Sequence, residues 1–243
     1  MNINQTLKQI SIIEILIVAA ISLAIILLTD WIFNIKINDE LVYVLIIFYV
    51  IYRLRGCKKD FVFKSKNLFS KIQFKFILII VVVNIFFSYG MLYGVDLLGF
   101  FIFDSVKSMV VAYDLISTVI IAPIAEELIF RGIFLNRINK FYSTHFSIIV
   151  SSILFGILHE PGAMIAAFVF GICMAIIYLK SNNILLAIFA HFLNNLISES
   201  IYYLDVYNFI FTNPIVIVVF MILAIVSLYL LITSFKEEWH KFG

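Results

Sequence analysis

Residues 11–33 read SIIEILIVAAISLAIILLTDWIF, an apolar run long enough to cross a lipid bilayer as a helix. The hydrocarbon core of a bilayer is about 30 Å thick and needs about 20 consecutive apolar residues. Working outward from this run, the candidate spans are 11–33, 37–52, 76–93, 109–134, 146–158, 162–179, 184–203 and 214–235. These runs are continuous, unlike the alternating strands of an outer-membrane barrel. The sequence therefore predicts an all-α polytopic membrane protein with about eight transmembrane helices.

The composition excludes several other classes of protein. Soluble domains are about 45–50% apolar and about 25% charged, whereas this chain of 243 residues is 64% hydrophobic and 13% charged. Two cysteines do not make the framework of a disulfide-rich secreted domain, and a net charge of +2 does not indicate nucleic-acid binding. Because no repeat or linker interrupts the chain, we expect one intramembrane domain over residues 1–243, surrounded by lipid. No oligomeric state is predicted.

The basic residues predict an orientation in the membrane. Segment 53–75 holds eight of the seventeen Lys and Arg residues. If it is cytoplasmic, alternation through eight spans places fifteen of them on or near that side and leaves only Lys36 and Lys107 outside. Both termini are then cytoplasmic. The same basic segment would also be attracted to anionic lipid headgroups.

Polar groups that are energetically unfavourable inside a bilayer are concentrated in the later part of the chain. An ionisable side chain inside a bilayer needs a functional or structural reason, and the first three spans are nearly free of such groups. The informative set is Asp114, Glu126, Glu127, Arg131, His159, Glu160, His191, Asn194, Asn195 and Glu199. Among these, Asp114 is expected near the outer end of its span. Glu160 and Glu199 are expected at most to contact the residues that would act on a substrate.

The fourth span carries two adjacent carboxylates with different expected partners. Glu127 and Arg131 are four residues apart and share a helix face, so Arg131 can neutralise Glu127. Glu126 is turned by about 100° and is free to face a cavity. Pro123 removes a helical N–H and predicts a kink or a helix start. Taken alone, a Glu–Arg pair of this kind is equally consistent with a purely structural ion pair.

Two later pairs complete a possible catalytic set. Phe155 and His159 share one helix face, as do His191 and Asn195. Converging helices would bring one carboxylate, two imidazoles and an amide to one cavity. A carboxylate beside an imidazole can take a proton from water, and N–H donors stabilise an oxyanion. This chemistry suits amide hydrolysis, although a lone histidine between helices can also be a satisfied packing residue.

A metal site is the competing chemistry. Two histidines and a carboxylate can bind zinc, and Glu126, His159 and His191 form such a set on separate segments. The sequence after His159 does not form the His-Glu-x-x-His motif, because Ala163 stands where the second histidine is needed. We predict no cofactor, because the four side chains already supply a base and oxyanion donors. Zinc on those three residues remains an open alternative.

Glu126-Glu127-x-x-x-Arg131, Phe155-x-x-x-His159 and His191-x-x-x-Asn195 together resemble the three ordered motifs of the CPBP family. This family groups the type II CAAX prenyl endopeptidases with the bacterial bacteriocin-processing and self-immunity proteins of the Abi group. The resemblance covers about residues 122–195.

The resemblance implies an eight-helix intramembrane protease with a cavity that faces the cytoplasm. It implies that Glu126 and His159 activate the water and that His191 and Asn195 form the oxyanion site. Glu127 and Arg131 would support the arrangement, with Phe155 as the remaining motif residue.

One geometric difficulty follows from these span boundaries. On straight helices, His159 near the outer end of the fifth span is not level with Glu126 near the inner end of the fourth. A short or tilted fifth helix that ends at Pro161 and Gly162 would remove the mismatch.

The substrate is expected to be a membrane-associated peptide or protein. Richness in Ile, Asn, Lys and Phe indicates a bacterial chain with low-GC coding, and a bacterium makes no prenylated CAAX protein of its own. A bacteriocin, its receptor, a signalling-peptide precursor or a leader peptide fits better. The alternative is a non-catalytic immunity or scaffold protein that retains the fold. A proton-coupled transporter is a third class, but the internal repeats typical of transporters are not evident.

Overall fold

The computed structural model describes residues 3–34, 38, 40–55, 71–97, 115–160, 162–205 and 209–240. Within these ranges the chain is helical and contains no strand. The helices are α1 (Ile3–Leu7), α2 (Ile12–Phe33), α3 (Leu41–Leu54), α4 (Lys71–Leu97), α5 (117–138), α6 (Thr144–Ile157), α7 (Met164–Ser181), α8 (Ile184–Leu204), α9 (Phe209–Thr212) and α10 (Pro214–His240). The predicted all-α class is confirmed.

Each of the eight predicted apolar runs overlaps one helix. Five stretches are long and apolar enough to cross a membrane, namely Ile12–Phe33, Phe74–Met91, Met164–Ser181, Ile184–Leu204 and Pro214–Thr233. The helices α3 and α6, which correspond to the short second and fifth runs, have 14 residues each. Residues 56–70 of the basic segment, Asp114, Pro161, Lys36 and Lys107 lie outside the described residues, so the expectations placed on them stay predictions.

Helix α5 is irregular around Pro123. The backbone N–H of Ala122 bonds to the carbonyl of Ser117, five residues earlier, and so widens the helix into a π turn directly before the proline. Wide turns of this kind occur frequently at functional sites. A second π stretch, Leu128–Leu135, follows the α-helical segment Ala122–Glu127. The two adjacent glutamates therefore lie at the junction between two helix geometries.

The C-terminal end of α5 changes the expected position of Glu126 along its helix. The sequence placed this residue near the inner end of a span that stopped at residue 134, but the helix continues to Ile138. Glu126 thus lies twelve residues before the last residue of this helix. The short α6 ends at Ile157, and His159 follows immediately on the connection to α7. The sequence analysis required a short or tilted fifth helix to bring His159 level with Glu126, and α6 is short.

Small residues allow the helices around the site to approach closely. A Cβ atom added at Gly171 of α7 would lie 3.0 Å from the Cβ of Ser152 on α6. Small residues at such crossings let helix backbones pack tightly in a membrane, where burial from water provides little driving force. Helix α7 is the most buried of the five long spans, while α2 and α10 have mostly exposed side chains of the kind that face lipid.

Candidate active site

One cavity of about 530 Å³ is lined by Glu126, His159, His191 and Asn195, the four residues that the sequence assigns to catalysis. They come from α5, the α6–α7 connection and α8. Alanines at the beginning of α7 and in α5 form other parts of the wall, and their small side chains leave room for a ligand. The structure thus brings together the groups that were expected to converge from separate segments.

Glu126 is the carboxylate that reaches this cavity. Its Oε1 accepts a hydrogen bond of 3.1 Å from the hydroxyl of Tyr43 on α3. Its Oε2 lies 3.7 Å from Nε2 of His191 on α8. The side chain is 13% exposed, so the group is largely enclosed and still accessible to a ligand in the cavity. This is the geometry expected of a carboxylate that exchanges a proton with a bound water.

Glu127 lies behind the cavity and is fully buried with Arg131. Its Oε1 is 3.2 Å from Nη1 of Arg131 and 2.9 Å from Nδ1 of His191. Arg131 Nη2 donates a 2.9 Å hydrogen bond to the carbonyl of Gly171 on α7. The predicted Glu127–Arg131 contact is therefore present, and it also connects three helices. Arg131 had been counted among the residues on or near the cytoplasmic side, but it lies inside the bundle with no exposed surface.

Phe155 separates the buried ion pair from the cavity. The guanidinium carbon of Arg131 lies 4.5 Å from the centre of the Phe155 ring. The same ring is 4.5 Å from the ring of His159 and 5.9 Å from that of His191, the latter edge to face. Phe155 is 1% exposed. Phe155 therefore supports the site by holding both imidazole rings in place and by separating the guanidinium of Arg131 from the cavity.

Hydrogen bonds at Nδ1 fix the hydrogen positions of both histidines. His159 Nδ1 is 2.9 Å from the backbone carbonyl of Phe155, and His191 Nδ1 is 2.9 Å from the Glu127 carboxylate. Both partners only accept hydrogen bonds, so Nδ1 carries the hydrogen in each ring. In the neutral rings, Nε2 is consequently the free basic nitrogen. Among the described residues, His191 and not His159 forms the close contact with Glu126.

Three asparagines form a chain of amide hydrogen bonds that positions Asn195. Asn84 Nδ2 donates to Asn194 Oδ1 over 2.9 Å, and Asn194 Nδ2 donates to Asn195 Oδ1 over 3.2 Å. Asn195 Nδ2 in turn donates to the carbonyl of Thr118 on α5 over 2.9 Å. An amide nitrogen has two hydrogens, so Asn195 retains a second N–H for a ligand while its orientation is fixed.

The sequence analysis missed two polar side chains in the wall of the cavity. Tyr43 and Asn84 belong to the second and third spans, which had been described as nearly free of such groups. Asn84 is 1% exposed, and an asparagine in the middle of an apolar span is a signal for an interhelical hydrogen bond. Tyr43 gave no usable signal, because it is one of twelve tyrosines. Glu199 lines the cavity too, whereas Glu160 is exposed beside it.

The arrangement does not fit the alternative zinc site. In the part of the chain that the structure describes, no three His, Cys, Asp or Glu side chains are grouped closely enough to hold a metal ion. Glu126 is instead hydrogen-bonded to Tyr43. We therefore derive no chemical step through a metal.

Comparison with known proteins gives one family-model match, over part of the chain. No curated protein and no solved structure matches the chain. The family model described as type II CAAX prenyl endopeptidase Rce1-like matches residues 107–197. This range contains all three motifs, including every residue that the sequence assigned to the site. In residues 107–197, this chain is therefore similar to the Rce1-like type II CAAX prenyl endopeptidases.

Proposed function

We propose that this protein is an intramembrane endopeptidase that uses Glu126 to hydrolyse a peptide bond in a membrane-associated peptide or protein. The proposal rests on one observation, namely that two adjacent carboxylates have different environments. Glu126 reaches a cavity that also presents two imidazoles and an amide, while Glu127 is enclosed and paired with Arg131. A family match to proteases over the same residues supports the same chemistry.

In the first step, a water held between Glu126 and His159 is deprotonated. The free Nε2 of His159 accepts one hydrogen of the water in a hydrogen bond, which orients it. The carboxylate of Glu126 takes the other hydrogen as a proton, and the water oxygen forms a bond to the carbonyl carbon of the substrate. Such a positioned base typically accelerates a reaction by about 10²–10⁴.

The negative charge that then develops on the carbonyl oxygen needs hydrogen-bond donors. The second N–H of Asn195 is one of them. His191 Nε2 becomes a donor only when the ring carries both hydrogens, because its Nδ1 hydrogen is already used by Glu127. His191 Nε2 lies 3.7 Å from Glu126 Oε2, which is beyond direct hydrogen-bond reach, so the proton passes from the carboxyl to the ring through one bridging water.

Breakdown of the tetrahedral intermediate returns the proton. It passes from the Glu126–His191 pair to the amide nitrogen of the substrate as the C–N bond breaks. The products are a free amine and a new carboxylic acid, and both side chains recover their starting protonation states. Atoms and charges balance without a further reactant.

A peptide substrate that reaches the membrane also fits the biological roles expected for this family. These are immunity against a bacteriocin of the Abi kind and the maturation of a secreted or signalling peptide. A non-catalytic immunity protein would keep the fold without needing an accessible Glu126.

The decisive experiment compares peptide N-termini in membranes from cells that express the wild-type protein or the Glu126→Gln variant. We expect a set of new N-termini that depends on the wild-type protein and disappears with Glu126→Gln. Asp30→Asn is the matched control, because it makes the same chemical change at an exposed position at the end of α2. The purified protein should then cleave a synthetic copy of the identified peptide.

The comparison also separates the two candidate functions. If Glu126→Gln is inserted at normal levels and leaves the set of N-termini unchanged, the hydrolase proposal fails. Full protection of cells by the same variant in a toxin assay would then favour the non-catalytic immunity protein.

A further inference from the structure

The helix ends divide the molecule into two poles with different charge. We call the end that carries the Lys and Arg residues the basic pole. Apart from the buried Arg131, the described members all belong to helix ends or connections at this pole, and they are Lys8, Arg53, Arg55, Lys71, Lys75, Arg137, Lys140, Lys180 and Lys236. In the described part of the chain, no Lys or Arg lies at the opposite pole.

Contacts between helices show that these ends are together in space. Arg53 near the end of α3 forms an ion pair with Glu14 at the beginning of α2. Lys180 at the end of α7 lies 4.9 Å from the centre of the Phe76 ring near the beginning of α4.

Two further contacts add α1, α6 and α10 to the basic pole. In the first turn of α6, His145 Nε2 lies 2.7 Å from the carbonyl of Trp239 in the last turn of α10. Asn4 of α1 donates a hydrogen bond to the carbonyl of Asn182 directly after α7.

The mouth of the candidate catalytic cavity is built from the opposite ends of the same helices. Glu40 directly before α3, Thr118 at the beginning of α5 and Gly162 directly before α7 all line it. So does Glu199 in the later half of α8. On α3, α5 and α7, the residues that line the mouth are therefore separated from the basic residues by most of the helix length.

The inner end of the cavity is closed toward the basic pole. Phe155 and His191, which are 1% and 3% exposed, form the floor. Beneath them lie Glu127 and Arg131, which have no exposed surface. A ligand therefore reaches Glu126 from the pole that lacks basic residues.

Lys and Arg residues near the ends of membrane spans are retained on the cytoplasmic side. Applied to the two poles, this rule makes the basic pole cytoplasmic. We propose that the catalytic cavity opens on the non-cytoplasmic face of the membrane and takes its peptide substrate from that face. The part about the substrate rests on the proposed function, whereas the direction of the opening does not.

This direction conflicts with one expectation from the family resemblance. Cytoplasmic termini and a cytoplasm-facing cavity cannot both hold, because α1 and the last turn of α10 lie at the basic pole and the cavity mouth at the other. The charge distribution favours the cytoplasmic termini. The substrate class is consequently an exported peptide or an extracytoplasmic segment of a membrane protein.

The test uses two single-cysteine variants at the two ends of α6. Lys140 precedes this helix at the basic pole, Glu160 follows it at the cavity mouth, and both residues are exposed. Cys57→Ser removes one native thiol, and the other, Cys173, is fully buried. Intact cells or spheroplasts carrying Glu160→Cys or Lys140→Cys are treated with a membrane-impermeant maleimide before or after permeabilisation.

We expect Glu160→Cys to be labelled equally before and after permeabilisation and Lys140→Cys to be labelled only afterwards. The reverse pattern, or labelling of both positions only after permeabilisation, would overturn the proposal. A second pair, Asn38→Cys and Arg55→Cys on either side of α3, repeats the comparison if either variant fails to accumulate. Labelling does not require activity, so an inverted orientation together with intact Glu126-dependent cleavage would reject this inference and leave the proposed function standing.

Discussion

Glu126 and Glu127 are adjacent in sequence, yet they belong to two regions with opposite environments. Glu126 faces the candidate catalytic cavity and lies beside a hydroxyl and an imidazole. Glu127 belongs to the buried cluster, where it is enclosed by Arg131, His191 and the surrounding helices. The same functional group therefore lines an open cavity in one region and holds helices together in the other.

The comparison teaches that a charged motif residue in a membrane protein is not automatically a reactive one. In the buried cluster, Glu127 Oε2 and Arg131 Nε form no hydrogen bond within the described residues. The attraction between the two charges must therefore offset much of the cost of burying them. In the cavity, Tyr43 donates to one carboxylate oxygen of Glu126, and within the described residues no hydrogen bond occupies the other, which is therefore available to water.

The most direct test of this difference is to neutralise Glu126, the carboxylate that faces the cavity. Glu126→Gln keeps the size and the Tyr43 contact but removes the proton acceptor. We expect cleavage to fall by about 10²–10⁴ while thermal unfolding in detergent stays within about 1 °C of wild type. A variant with wild-type cleavage would mean that Glu126 is not the base.

In the buried cluster the effect should appear in stability first. Arg131→Ala leaves Glu127 buried without its counter-charge, which costs roughly 3–5 kcal/mol for a buried pair. Arg131→Lys should recover only part of this loss, because a single ammonium nitrogen replaces the two guanidinium nitrogens that separately contact Glu127 and the Gly171 carbonyl. Thermal unfolding and yield in detergent measure the effect, and Arg137→Ala, two turns further along α5, is the control. An unchanged melting temperature for Arg131→Ala would remove its structural role.

Asn195 tests the oxyanion side of the cavity. Asn195→Ala removes one donor, and we expect the rate of cleavage to fall by about 10²–10³ with little change in KM. Asn195→Asp keeps the shape and should be at least as impaired, because a carboxylate repels the developing negative charge. Ser200→Ala, at an exposed position of the same helix, should cleave normally. A rise in KM alone would assign Asn195 to substrate binding.

The smallest expected effect concerns Tyr43, which acts through Glu126. Tyr43→Phe removes the hydroxyl that donates to the carboxylate, and a hydrogen bond to a charged group contributes about 1.5–3 kcal/mol. Since only part of this hydrogen-bond free energy stabilises the transition state more than the ground state, we expect about a tenfold lower kcat. We also expect an altered pH profile of kcat. The exposed Tyr52→Phe on the same helix is the control. Equal pH profiles in all three proteins would exclude an influence of Tyr43 on Glu126.

The sequence predicted the helical class because apolar runs of about twenty residues have few other stable structures in a bilayer. It also predicted the Glu127–Arg131 contact, because residues four apart meet on a helix whatever the surrounding fold. The boundaries of α5 were less accurate, since apolar composition does not reveal where a helix continues past the membrane core. That error placed Glu126 too close to the inner end of its helix.

Contacts between distant helices could not be predicted from spacing. The link from His191 to both glutamates spans more than sixty residues of chain, and the contacts of Tyr43 and Asn84 cross from the early spans into the motif-bearing region. Such contacts depend on which helix faces turn toward each other, and packing of the whole bundle decides that.

The sequence by itself determined the membrane class, the motif residues and the charge bias along the chain, because these depend on local composition and on fixed helical periodicity. Only the tertiary structure decided which glutamate faces the cavity, which imidazole lies beside it and at which pole the cavity opens. The physical reason is that a side chain has the same position on its own helix in any packing, while its access to solvent, charge and substrate depends on the neighbouring helices.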